Sequence, residues 1–383
     1  MRIPLSAPRA GLCPARPPRG SSRLGAARRR LEYRALLTLL LVVVQCGCAV
    51  AQKPKPREAG ADERAAAYAT RQEVRDFAAD VAERRQLPPD WVLAQLAQAQ
   101  RQPAAQRLMM PPPAGTAKNW AAYHDRFVEP QRIAAGTRFW QDNAELLKRA
   151  EQRFGVPAEI IVGIVGVETF YGRVTGNFRV LDVLTTLAFD FPSGRSDRSA
   201  FFRGELEEFL VLSQREGVEA TRAKGSFAGA MGLPQFMPGS INRYAVDFDG
   251  DGHIDLSDSV ADVIGSVANF LAAHGWQRGM PITYYVAVPV DTRARATLLA
   301  PDNLPSFRAA QMSEYGAELD AAGQRHDGLL ALVELQNGRE APSYVAGTSN
   351  FYVLTRYNQS SYYAMAVITL GKAIKQQVAA PAD

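Results

Sequence analysis

The stretch Ile160-Ile161-Val162-Gly163-Ile164-Val165-Gly166-Val167-Glu168-Thr169-Phe170-Tyr171-Gly172-Arg173 decides how the rest of the chain reads. Eight uncharged residues precede Glu168, and helical spacing puts Ile161, Ile164 and Val165 on its face. A carboxyl group in that setting is partly desolvated, which favours its neutral form and raises its pKa. A general acid is kept protonated near neutral pH in this way. The competing reading is a structural glutamate paired with an arginine, Arg173 being nearest in sequence.

Upstream, Thr137 to Phe154 has the pattern of one helix, stopped by Gly155, and Pro157 opens the helix of Glu168. Val74, Phe77 and Val81 form an apolar stripe that ends at Leu87-Pro88-Pro89, after which Asp90 is placed to cap a helix from Trp91 to about Gln100. Downstream, helices are expected over Phe178 to Phe189 and Ser199 to Arg215. From Gly225 to Pro238 there are three glycines and two prolines, a composition that resists regular structure and lets backbone approach a ligand or another segment closely.

Asp247-Phe248-Asp249-Gly250-Asp251-Gly252-His253 carries the D-x-D-x-D-G signature of an EF-hand loop. Calcium is a hard cation that takes about six to eight oxygens. Asp247, Asp249 and Asp251 would supply carboxylates and His253 a backbone carbonyl. The twelfth position holds Asp258 in place of the usual glutamate, so either Asp258 or Asp262 would close the shell. A helix from Ala261 to His274 follows, then a strand over Ile282 to Val290. Residues 291–340 read as a small lobe without a chemical motif. The return Ser349 to Met365 is rich in Tyr and Asn, which suits sugar rings and N-acetyl groups. A terminal helix runs from Val367 to Val378.

The 383 residues carry a net charge of +5, but the balance is lopsided. Residues 1–51 hold nine arginines, no lysine and one glutamate, which leaves a net −3 for the remainder. The basic pI of about 9.1 is therefore no argument for nucleic acid. Residues 1–51 have the form of an export segment. Arg28-Arg29-Arg30 and Arg34 precede an apolar run, Leu36 to Val44, that is short for a bilayer span. Cleavage after Ala49-Val50-Ala51, lipidation at Cys46 or Cys48, and an uncleaved anchor are the three options. Cys13, Cys46 and Cys48 all fall here, so the remaining chain has neither disulfides nor thiol chemistry. Residues 52–68 form a Pro- and Lys-containing tether.

Four stretches taken together resemble the membrane-bound lytic murein transglycosylase B family. They are Gly166 to Gly172, Gly229 to Pro238, the Asp247 loop and Thr355-Arg356-Tyr357-Asn358, and the resemblance extends from about residue 70 to the C-terminus. It implies a mainly α, lysozyme-like α+β fold over 69–383. The helical core with a catalytic cleft would span 137–275 and include the EF-hand-like calcium loop at 247–262. A flanking helical domain, a small β-containing lobe at 282–342 and a C-terminal return at 343–383 complete it. It further implies cleavage of the MurNAc–GlcNAc β-1,4 bond of peptidoglycan without water, leaving 1,6-anhydro-MurNAc ends.

By the same resemblance Glu168 is the catalytic acid and then base. Ser226, Gln235, Tyr357, Asn358 and Tyr363 are substrate-binding positions. Asp247, Asp249, Asp251, His253 and Asp262 are calcium ligands, the family pattern favouring Asp262 over Asp258. Phe270 stands where relatives often carry Tyr. The resemblance implies structural Ca2+, no organic cofactor, and a periplasmic enzyme acting on glycan strands, either free or attached to the outer membrane. A peptidoglycan-binding scaffold without activity and a hydrolytic muramidase are the alternatives on the same fold. Asp182 and Asp190 are nearby carboxylates that nothing in the sequence marks as partners of Glu168.

Overall fold

The computed structural model describes residues 68–111, 117–217 and 219–380. The export segment, its cysteines and most of the tether lie outside the described residues.

Apolar faces are buried in three places, and each cluster explains a group of elements. In the first group, α1 (Gln72–Arg85), α2 (Pro89–Ala97) and α3 (Pro103–Leu108) lead the chain. Of the expected stripe, Val74 and Val81 are fully buried and Phe77 is half-buried, and all three belong to one apolar cluster with Leu184, Phe202 and Phe209 of two later helices. Asp90 is not a cap: α2 begins with Pro89 after Pro88, so Asp90 lies in its first turn, where a carboxylate still suits the helix dipole.

Next come α4 (Trp120–Phe127), α5 (Pro130–Asp142), α6 (Ala144–Phe154) and α7 (Ala158–Thr169). The single helix expected over Thr137 to Phe154 is two. It breaks at Asn143, whose side-chain amide donates to Phe139 O (2.8 Å) and so serves a carbonyl at the end of α5. Gly155 stops α6 with φ 76°, as expected. The two-residue strand β1 (Phe178–Arg179) leads into α8 (Val180–Phe189), and α9 (Ser199–Glu216) follows. Strand β1 pairs with β2 (Lys224–Gly225) at the start of the glycine-rich segment. Then come α10 (Pro238–Tyr244) and α11 (Val260–Ala273).

The expected strand Ile282 to Val290 is instead two short pieces, β3 (Thr283–Tyr284) and β4 (Val286–Ala287), which join different sheets. The small lobe continues with α12 (Thr292–Leu299), α13 (Ala309–Glu314), β5 (Glu318–Leu319), α14 (Ala321–Gln324), β6 (Ala331–Asn337) and β7 (Glu340–Gly347). Its main sheet has the order β3-β7-β6, all antiparallel, with Val333 opposite Val345. The return forms α15 (Ser349–Tyr357) and α16 (Ser361–Ala379). Helix α16 starts six residues before the expected Val367, because the Ser360 hydroxyl caps it by accepting from Tyr363 N.

The largest cluster surrounds α7, ten of whose twelve residues are buried. Helix α16 crosses it closely. A Cβ added at Gly163 would lie 2.5 Å from Val367 O, and one at Gly371 would lie 2.1 Å from Glu159 O. Glycine at both places lets the two backbones touch. The helix that carries Glu168 is thereby fixed in depth and rotation.

Candidate active site

Glu168 is the next-to-last residue of α7 and, with Glu159 at the opposite end, one of the two residues of that helix that are partly exposed. Burial pushes its carboxyl up to about pKa 7, and the Tyr363 hydroxyl works in the other direction without outweighing it. Among the described residues no cation or second carboxylate contributes to that shift. Arg173, the alternative partner, instead lies over the Phe170 ring at 4.6 Å. Asp182 accepts from Gln100 N (2.9 Å), and Asp190 accepts from the Tyr68 hydroxyl (2.6 Å) and from Arg71, so both carboxylates serve the helical packing around α1.

The backbone turns sharply after Glu168. Phe170 (φ 53°), Tyr171 (φ 57°) and Gly172 (φ 86°) are consecutively left-handed. Two non-glycine residues in that region carry a strain that only surrounding structure can hold in place. Thr169 supplies part of it. Its hydroxyl donates to Leu233 O (2.9 Å) and accepts from Gly172 N (3.1 Å). The turn is thus bonded to the glycine-rich segment.

That segment is internally tied. Ser226 Oγ accepts from Ala228 N (3.3 Å) and Ala230 N (3.1 Å), so this hydroxyl shapes the loop. Gln235 is left-handed (φ 51°), and its amide donates to Thr175 O (3.1 Å) and Gly232 O (2.9 Å). The Tyr357 hydroxyl donates to Pro234 O (2.6 Å), and its ring stacks on Tyr363 at 6.1 Å. Gln235, Tyr357 and exposed Asn358 line one groove of about 440 Å3, whose wall also includes Phe270. Phe270 packs on Phe236, Tyr357 and His274, and the ring is buried without a hydroxyl. Tyr363 is fully buried, and its hydroxyl has no hydrogen-bond partner of normal geometry. Burial and the nearby Glu168 charge hold both Tyr357 and Tyr363 well above the ordinary phenol range.

A third phenol was not legible in the sequence. Tyr123 on α4 is raised by burial and then by the charge of Glu168. It stands with Trp120 (6.4 Å) and Tyr362 (5.9 Å) in an aromatic wall. The Trp120-x-x-Tyr123 spacing was the available signal, since residues three apart share a helix face. Residues of α4, α15 and α16 thus lie near enough to Glu168 to feel its charge, and the glycine-rich segment is bonded to the next residue, Thr169.

The acidic loop is well formed. Asp247 accepts from Gly250 N (2.6 Å) and Gly252 N (2.9 Å), and those backbone donors hold its carboxyl below the usual range. Ligand oxygens of Asp247, Asp249 and Asp251 lie within 4.8 Å of one another. Three converging carboxylates repel unless a cation sits among them, and an all-oxygen set fits calcium. Asp262 is buried, and its two oxygens accept from Phe248 N (2.7 Å) and Asp255 N (2.8 Å), so it clasps both ends of the loop. Asp258 is exposed, and its amide donates to Asp255 (3.0 Å). The loop lies far from Glu168 in sequence but not in space: Leu233 N donates to Leu256 O (2.8 Å), and Leu233 O accepts from Thr169.

A desolvated carboxyl at the end of a buried helix, set among phenols on a mainly helical lysozyme-like frame, defines a class of glycan-cleaving enzymes. Comparison with known proteins places the chain within that class. Residues 69–372 match the transglycosylase SLT domain model, and the chain belongs to that family. It is 42% identical over 288 residues to the membrane-bound lytic murein transglycosylase B of Escherichia coli K12, covering 73% of this chain and 76% of the relative. The structure of the E. coli lytic transglycosylase Slt35 in complex with calcium matches with a TM-score of 0.69 and 38% identity, over 82% of this chain and 96% of that one. SltB3 of Pseudomonas aeruginosa, in complex with NAG-anhNAM-pentapeptide, matches with a TM-score of 0.64 and 29% identity, over 79% of each chain. The protein is a lytic transglycosylase that acts on peptidoglycan.

Proposed function

We propose that this enzyme cleaves the MurNAc–GlcNAc β-1,4 bond without water, using Glu168 alone as acid and then base. Protonated Glu168 donates to the glycosidic oxygen as the bond to C1 breaks. The 2-acetamido group of MurNAc stabilises the positive charge that develops. Ionised Glu168 then takes the proton of the C6 hydroxyl as that oxygen attacks C1. The product is a 1,6-anhydro-MurNAc end, and Glu168 is protonated again.

The observation that carries this reading is a desolvated carboxyl with its pKa raised to about 7, on which, among the described residues, no second carboxylate acts. A group that must both give and accept a proton works best near its own pKa. A hydrolytic muramidase needs a second carboxyl roughly 5–9.5 Å away to act as nucleophile or base. A binding scaffold has no use for a desolvated acid at its cleft. The complex of SltB3 with an anhydro sugar supports the proposed product. Gln235, Tyr357 and Asn358 would hold the strand in the groove. Tyr363 would hold Glu168, while Ser226 acts through the shape of its loop.

Calcium would be held by Asp247, Asp249, Asp251 and the His253 carbonyl, with Asp262 fixing the loop from behind. Bound there, the ion neutralises charge and rigidifies the loop. The calcium complex of Slt35 supports this site. Among the described residues no helix is long and apolar enough to cross a membrane. The export segment together with the membrane-bound relative supports a periplasmic enzyme of the cell envelope. Mass spectrometry of digested peptidoglycan tests the chemistry. Anhydro ends are expected from the native chain and no products from Glu168→Gln; reducing ends, or near-normal turnover by the variant, would refute it.

A further inference from the structure

A second cavity, of about 190 Å3, lies in the seam between the small lobe and the helical core. Lys118 comes from the approach to α4, Asp302 and Asn303 from the loop after α12, and Gln336 from β6. Leu299 adds a little apolar surface, Leu332 is all but covered, and Tyr362 of α16 closes the wall. The lining is mainly polar with a small apolar share, which suits a hydroxyl-rich ligand better than an apolar one.

Three features mark it as a built site. Asp302 (φ 45°) and Asn303 (φ 67°) are adjacent left-handed residues, neither of them glycine. Asp and Asn tolerate that backbone better than other non-glycine residues, and it fixes the direction in which the two side chains leave the loop. The planar polar groups are also pre-oriented. Asn303 donates to Asp302 (2.8 Å), and Gln336 donates to Glu334 (3.2 Å), which also accepts from the Tyr344 hydroxyl (2.8 Å). Finally, Tyr362 donates to Gln336 O (3.0 Å) and packs edge-on to Trp120 (6.0 Å) and Tyr123 (5.9 Å). Tyr123 feels the charge of Glu168, and the neighbour of Tyr362 is Tyr363. The cavity is thus joined to the catalytic carboxyl by one aromatic wall.

We propose that this seam is a distal subsite that holds one N-acetylhexosamine of the glycan strand beyond the cleaved bond. A sugar ring has a face of C–H groups and an edge of hydroxyl and acetamido groups. Tyr362 and Leu299 suit the face. Asp302, Asn303 and Gln336 suit the edge, where carboxylate and amide groups engage neighbouring hydroxyls. The small size of the cavity favours a single ring over a disaccharide. The small lobe then extends the substrate contact instead of merely decorating the core. This inference rests on the cleavage reading above.

Peptide-free glycan oligosaccharides of two lengths separate the two ideas. The native enzyme should give anhydro ends from a tetrasaccharide and have a higher kcat/KM on an octasaccharide. Glycine suits the left-handed backbone, so Asp302→Gly with Asn303→Gly deletes both side chains without straining the loop. These variants, and separately Gln336→Ala, should lose roughly tenfold in kcat/KM on the octasaccharide, the effect of one or two hydrogen bonds to charged or polar groups. Their rate on the tetrasaccharide and their thermal melts should stay at the native values. An unchanged length preference in folded variants overturns the subsite while leaving the cleavage reading intact. If the native enzyme forms no anhydro product from either substrate, the cleavage reading fails first and this inference with it.

Discussion

At the residue scale the decisive quantity is where Glu168 titrates. Its folded pKa of about 7 lies above the ordinary 4.5, so the folded state holds this proton more tightly than the unfolded chain. Stability from this group is therefore complete below about pH 4.5 and declines as pH rises through about 7. Glu168→Gln removes the ionisation. Its melting temperature should exceed the native value at about pH 8 and match it near pH 4. Equal melts for the two proteins across that range would mean that the carboxyl is not desolvated. Turnover should fall on the alkaline side with a midpoint near 7 in the native chain. Tyr363 pulls Glu168 down, so Tyr363→Phe should move that limb to higher pH; a shift to lower pH would contradict the placement of the hydroxyl.

At the scale of elements, the catalytic side chain is only as well placed as α7. Helix α16 touches it through Gly163 and Gly371, and neither position leaves space for a methyl group. Gly163→Ala should cost about 1–3 kcal/mol through overpacking, read as a lower urea midpoint at unchanged slope. A neutral result would mean that the helices can separate freely. The turn after α7 depends on Thr169, whose hydroxyl bridges to Leu233 O. Thr169→Val should lose about 1 kcal/mol of stability and a larger share of activity, because the strained Phe170-Tyr171 turn then lacks its tie to the glycine-rich loop. Activity that falls no further than stability would show that this tie does not aim Glu168.

Across the whole molecule, segments distant in sequence converge on one carboxyl. The acidic loop reaches Glu168 through Leu256, Leu233 and Thr169, so calcium should act on the site as well as on the fold. Calcium should raise the melting temperature of the native chain by mass action, and chelation should reverse it. Asp247→Asn should abolish the response, and a native melt that ignores calcium would argue against an occupied loop. The sequence alone was enough for what is local. Hydrophobic periodicity, Gly155, the Asp-x-Asp-x-Asp-Gly loop and the uncharged run before Glu168 are neighbour relations along a chain, and each carries its own physical signature. Tertiary structure alone decided what depends on distance. It joined α4 to the site, broke a helix at Asn143, parted one strand between two sheets, tied the Ser226 and Tyr357 hydroxyls to backbone, and set the acidic loop two hydrogen bonds from the acid. Those outcomes turn on which polar group finds a partner and which apolar face is covered, and a chain settles both only when it packs against itself.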